Sequence, residues 1–134
     1  MTVETANVTV PGYLTSVPRL RHWLQNVLSA WAVSSVIRED LALAVTELCT
    51  NIVRHGYSHT TGYIEVHLTR SSHAIHVTIL DTAPFFIPEN NVPQPPGTLA
   101  EGGYGLFLIE ALMDEVHYER RAAIGNRTVL VKYE

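Results

Sequence analysis

Cysteine is nearly missing from this 134-residue chain: Cys49 stands alone, which excludes an internal disulfide and a cysteine-rich metal site. Charge is scarce too, at 16% of residues against a usual share of about 25%. With 9 Lys+Arg against 13 Asp+Glu the net charge is -4. No Lys/Arg cluster supplies the basic footprint that phosphate contacts require, so direct nucleic-acid binding is not expected. Long apolar runs are lacking. The longest, Leu41-Ala42-Leu43-Ala44-Val45, is far short of the ~20 residues of a membrane helix, so no membrane partner is expected. The first residues have neither a basic n-region nor an apolar h-region, which gives no secretory signal and a cytoplasmic expectation. The seven histidines are scattered, and no metal site of their own is expected. What is present is apolar residue, at 46%, enough to exclude a disordered chain. The length predicts a single domain spanning 1–134.

Apolar spacing organises that domain. A short strand over 5–10 closes at Pro11-Gly12. A helix follows, with Thr15 or Ser16 as N-cap and Leu20, Leu24, Val27, Leu28 and Trp31 at helical spacing. After Ser34-Ser35 a second helix runs to about residue 55, with Ile37, Leu41, Val45, Leu48 and Ile52 on its buried stripe and Gly56 ending it. The period then changes to two over 63–68 and 75–79, which reads as a hairpin. Residues 84–101 hold five of the seven prolines and no periodicity, the mark of a functional loop or lid. A third helix, with Leu106, Ile109, Leu112 and Val116 on one side, precedes two closing strands near 116–121 and 128–133. The order predicts an α+β, two-layer sandwich: a mixed, largely antiparallel sheet with helices on one face.

Three features could carry chemistry. Glu47 and Asn51 lie one turn apart on the second helix, ~6 Å along its axis, at the border of the buried stripe. A carboxylate beside an amide can position a hydroxyl and hold Mg²⁺ through oxygen, or it can be a solvated helix edge. Asp81 ends a strand, where it can accept from a ligand amine or merely start a turn. Gly102, Gly103 and Gly105 precede a helix, where their amides can cradle phosphate or provide a hinge.

Taken in this order, these features resemble the bacterial anti-sigma-factor serine kinases of the GHKL, or histidine-kinase-like, ATPase superfamily, which has the Bergerat fold. Residues 45–57 resemble its N-box, 81–86 its first glycine box, and 102–109 its second. Residues 112–116 and 125–131 resemble the rest of its pattern. The resemblance implies a protein-serine kinase that uses ATP and Mg²⁺, phosphorylates a STAS-domain antagonist and sequesters a sigma factor. It also allows a homodimer. It implies Glu47 as general base, Asn51 as Mg²⁺ ligand and Asp81 as acceptor of the adenine amine. Nucleotide contacts would come in addition from His55, Ala83, Gly102, Gly103, Tyr104, Gly105, Leu106, Phe107 and Thr128, under a lid over about 84–102. Arg19 falls at a partner-contacting arginine, with Arg21 two residues away.

Two positions depart from the family pattern. Ala83 stands where the first glycine falls and Phe85 fills a later slot, both adding bulk near the expected adenine. The alternative function is therefore a nucleotide-independent binding module of the same fold. A histidine-kinase catalytic part is disfavoured, because no dimerisation helix pair with a phospho-acceptor histidine precedes the pattern.

Overall fold

Alternation over residues 63–68 and 75–79 builds the centre of a five-stranded sheet. The computed structural model describes residues 3–84 and 103–134. Within them the strands are β1 (Glu4–Pro11), β2 (Tyr63–Arg70), β3 (Ala74–Asp81), β4 (Glu115–Arg120) and β5 (Asn126–Tyr133). Their spatial order is β1-β2-β3-β5-β4. Every neighbouring pair is antiparallel, so no parallel pair makes the sheet mixed. Because β5 inserts between β3 and β4, the last residue of β3, Asp81, lies opposite the first of β5, Asn126.

One face of the sheet is apolar. Ile64, Val66 and Leu68 of β2 and Ile75, Val77 and Ile79 of β3 are at most 1% exposed. They share a core with Leu20, Leu24 and Leu28 of helix α1 (Ser16–Ala30) and Leu41, Val45 and Leu48 of helix α2 (Ser35–Asn51). Burying each such side chain contributes about 1.5–3 kcal/mol. The other face carries only a small cluster of Ala74, Val129 and Val131.

The helix ends differ from the sequence expectation in informative ways. Thr15 is at the N-cap of α1, but its side chain makes no capping bond. The C-terminus of α1 closes without glycine. Ala32 adopts φ 59°, its amide bonds Ser29 O at 2.9 Å, and the Val33 amide bonds Leu28 O at 3.0 Å. Val33 and Leu28 are both core residues, completing a Schellman-type cap. The second helix reaches its expected length but changes kind: α2 ends at Asn51 and the chain continues as one π turn, Ile52–Gly56. Helix α3 (Gly103–Leu112) stops before Val116, which lies in β4 opposite Leu130. The Asp114 amide already bonds Val131 O at 2.9 Å, so sheet pairing captures the chain before another helical turn can form. Lys132 Nζ caps the end of α3 by donating to Leu112 O at 2.6 Å.

Candidate active site

Helical spacing puts Glu47 and Asn51 on one face of α2, and both side chains are half-buried at the edge of the core. The start of α3 closes on this pair. Gly105, in the first turn of α3, has room for little else: a methyl there would lie 3.2 Å from Glu47 Oε2 and 3.2 Å from Asn51 Nδ2. Glycine thus lets the helix N-terminus, whose dipole favours anions, reach a carboxylate–amide pair. Such an arrangement offers amide donors for phosphate oxygens and hard oxygen ligands for Mg²⁺ side by side.

Asp81 is the most buried carboxylate of the described residues, at 1% exposure. Its Oδ1 accepts from the Ala83 amide and from Asn126 Nδ2, each at 2.9 Å. Its Oδ2 is buried and has no partner among the described residues. Burial pushes the carboxyl above its ordinary value, and the bonds from Asn126 and Ala83 and the charge of Arg121 oppose that rise. A buried acceptor left half-satisfied is costly unless a ligand donor completes it, and an exocyclic amine is such a donor. Thr128, 4% exposed, lies on the same face of β5, two residues beyond Asn126.

The segment after Asp81 is fastened to the end of the π turn. Tyr57 Oη donates to Tyr63 O at 2.8 Å and accepts from the Thr82 amide at 2.8 Å. Its ring occupies space left by two glycines: a methyl at Gly12 would come within 2.4 Å of the ring, and one at Gly62 within 2.7 Å. Ala83 is 2% exposed, and a methyl at Gly56 would lie 2.5 Å from its Cβ. The added bulk of Ala83 is therefore received by Gly56. Among non-glycine described residues only Ala32 has positive φ, so Ala83 needs no left-handed backbone.

Residues 10–132 match the family described as Histidine kinase-like ATPase domain. The chain belongs to the histidine kinase-like ATPase family. It is 34% identical over 114 residues to a serine-protein kinase RsbW of Bacillus licheniformis, covering 75% of this chain and 68% of the relative. It is 30% identical over 144 aligned positions to the serine-protein kinase RsbW of Bacillus velezensis, covering 98% and 86%. The fold is similar to that of a histidine kinase domain from a blue-light-activated histidine kinase of Erythrobacter litoralis. There the TM-score is 0.57 at 16% identity, with 92% of this chain matched to 61% of that one.

Within this histidine kinase-like ATPase fold, Glu47, Asn51 and Gly105 converge, and Asp81 and Thr128 share the adjoining sheet face. His55 is exposed on the π turn, Leu106 is buried and Phe107 half-buried in α3, and Arg19 is exposed on α1. Gly103 and Tyr104 begin α3. Gly102, Phe85 and nearly all of the lid expected over 84–102 lie outside the described residues. Sequence reading missed Tyr57, Gly56, Arg121 and Asn126 as parts of the site's frame. Gly56 and Tyr57 carried a signal as the end of the N-box stretch and Asn126 as part of 125–131, whereas Arg121 carried none. No helix of the described residues is long and apolar enough to cross a membrane, and they include no group of three or more His, Cys, Asp or Glu able to hold a metal ion.

Proposed function

We propose that this histidine kinase-like ATPase domain is a cytoplasmic protein-serine kinase and anti-sigma regulator. It binds Mg-ATP, phosphorylates a serine of a STAS-domain antagonist, and sequesters a sigma factor without touching nucleic acid itself. The observation that carries the reading is the meeting of Glu47 and Asn51 with the glycine-rich start of α3, 3.2 Å from the position of a Gly105 methyl. Support comes also from the relatives, which are serine-protein kinases by name, and from the partnerless Oδ2 of Asp81.

In this reading Asp81 Oδ2 accepts from the adenine amine, with Thr128 and Ala83 beside it. His55, Tyr104, Leu106 and Phe107 line the nucleotide, and 84–102 folds over it within a single domain of 1–134. The amides of Gly102, Gly103 and Gly105 hold the phosphates. Asn51 Oδ1 suits Mg²⁺, which prefers few protein oxygens plus phosphate. When bound, Mg²⁺ neutralises charge on the terminal phosphates. Glu47 takes the proton of the attacking serine hydroxyl as its oxygen bonds to the γ-phosphorus and ADP departs. Arg19 contacts the protein partners, and two copies pair as a homodimer.

The binding-module alternative gains nothing from Ala83, whose methyl is turned into Gly56. Thermal unfolding with and without Mg-ATP tests the reading: saturation at 100 times Kd should add about 2.7 kcal/mol. Phosphate transfer to the serine of a STAS-domain protein from the same genome should then vanish in Glu47→Gln. No shift at millimolar Mg-ATP rejects the proposal.

A further inference from the structure

We infer that Asn126 is a positioning residue that decides which oxygen of Asp81 faces the nucleobase, and thereby sets the preference for a 6-amino over a 6-oxo purine. The inference rests on the nucleotide reading above. A carboxylate is two-fold symmetric and can turn about its last bond, so an unrestrained aspartate has no fixed acceptor direction. Here the Ala83 amide and Asn126 Nδ2 both fall on Oδ1 at 2.9 Å, and the Asn126 main chain bonds the carboxyl as well. Oδ2 is left buried and without a partner among the described residues. Because an ionised carboxylate accepts only, Asn126 must present its amide nitrogen there. A carboxylate held in this way meets an exocyclic amine favourably and a 6-oxo group with repulsion.

The turn that carries Asn126 is fastened to β3 by its main chain. Asn126 pairs with Asp81 in the sheet register. Gly125, at φ 99°, passes so close that a methyl there would lie 2.0 Å from Asp81 O. Arg121 donates to that same oxygen at 2.9 Å, and its own amide bonds Gly125 O at 3.1 Å. These anchors do not use the Asn126 side chain and remain available when it is replaced. The charged and titratable groups facing Asp81 are Arg121 from the β4–β5 turn and the buried Cys49 thiol from α2.

Affinities for ATP and inosine 5′-triphosphate, both with Mg²⁺, decide the matter in the full chain, Asn126→Leu and Asn126→Asp, with melting curves recorded alongside. The wild type should prefer ATP by about tenfold or more. In both variants that ratio should fall roughly tenfold, through loss of ATP affinity with the inosine nucleotide nearly unchanged. In Asn126→Asp the new carboxyl can donate to Asp81 Oδ1 only while it holds a proton, so the ATP preference should return as pH falls and disappear once both carboxylates are ionised. This response separates aim from mere scaffolding. Folded variants that keep the wild-type ratio overturn the inference, as does failure of both to fold, which would make Asn126 structural. A wild type that binds neither nucleotide rejects the nucleotide reading itself, and a wild type that binds both equally rejects only the present inference.

Discussion

Asp81 spends stability to hold an acceptor where water cannot reach. Its carboxyl is raised above the ordinary value by burial, against the bonds from Asn126 and Ala83 and the charge of Arg121. At strongly acid pH the folded and unfolded states both carry its proton. As pH climbs through the raised folded value, the folded state gives up a proton that it holds more tightly than the unfolded chain does. Stability falls across that window and stays lowered at neutral pH. Asp81→Asn keeps an oxygen for the Ala83 and Asn126 donors and carries no charge. It should therefore be more stable than wild type by about 1 kcal/mol at pH 7, with the gap closing on acidification, while losing ATP binding. Urea titrations at pH 4 and pH 7 check the sign; a gap that widens toward acid contradicts it. The neighbouring Ala83→Gly should behave differently. Its methyl packs on Gly56, so its removal should cost about 1 kcal/mol of stability and change ATP affinity by less than about tenfold, measured calorimetrically. A gain of several hundredfold would mean that the methyl closes the pocket.

At the scale of elements, α1 ends in a place where glycine is absent. Ala32 holds φ 59°, a conformation that costs an L-residue roughly 1–2 kcal/mol and glycine almost nothing. The hydrogen bonds of Ala32 and Val33 to the last turn stay available to glycine, and the position is exposed. Ala32→Gly should therefore raise stability by about 0.5–1 kcal/mol, seen as a higher urea midpoint at unchanged slope. A lowered midpoint would show that the cap is not strained. This cap also shows where sequence reading stops. Ser34-Ser35 marked the break between helices, but nothing local announced a left-handed alanine. The hairpin of β2 and β3 was legible because one buried face imposes period two on Ile64, Val66, Leu68 and their partners. Glu47 and Asn51 were legible as a pair because helix geometry is local. The π turn was not, since the slot for Tyr57 is made by Gly62 together with Gly12, 45 residues earlier in the chain. Val116 keeps helical spacing yet joins β4, because pairing with Leu130 outweighs continuation of α3. The bond from Asn126 to Asp81 spans 45 residues, and no periodicity reports it.

Across the whole molecule, the site and the main polar staple occupy opposite ends of the sheet. Asp81 pairs with Ile64 near one end of β2, whereas Arg70 closes the other, opposite Glu4. Arg70 donates to both carboxylate oxygens of Glu134 at 2.9 Å, to Glu4 at 3.3 Å, and to the Trp31 carbonyl at the end of α1. One guanidinium thus joins β1, β2, α1 and the last residue of the chain. Its side chain is 24% exposed, so solvent screens part of the attraction, yet a bidentate fork is the strongest form of such a pair. Arg70→Met preserves the stem and removes every donor. It should lower stability by roughly 1–2 kcal/mol and leave ATP affinity within about twofold. The two ends are about 20 Å apart, by strand rise over six residues. They share no partner, so Arg70→Met and Asp81→Asn should combine additively to within about 0.5 kcal/mol. Urea unfolding of the two single variants and the double variant measures this directly. A coupling of more than 1 kcal/mol or so would mean that the sheet transmits strain between staple and site, and that the far end of β2 helps to set the geometry of Asp81.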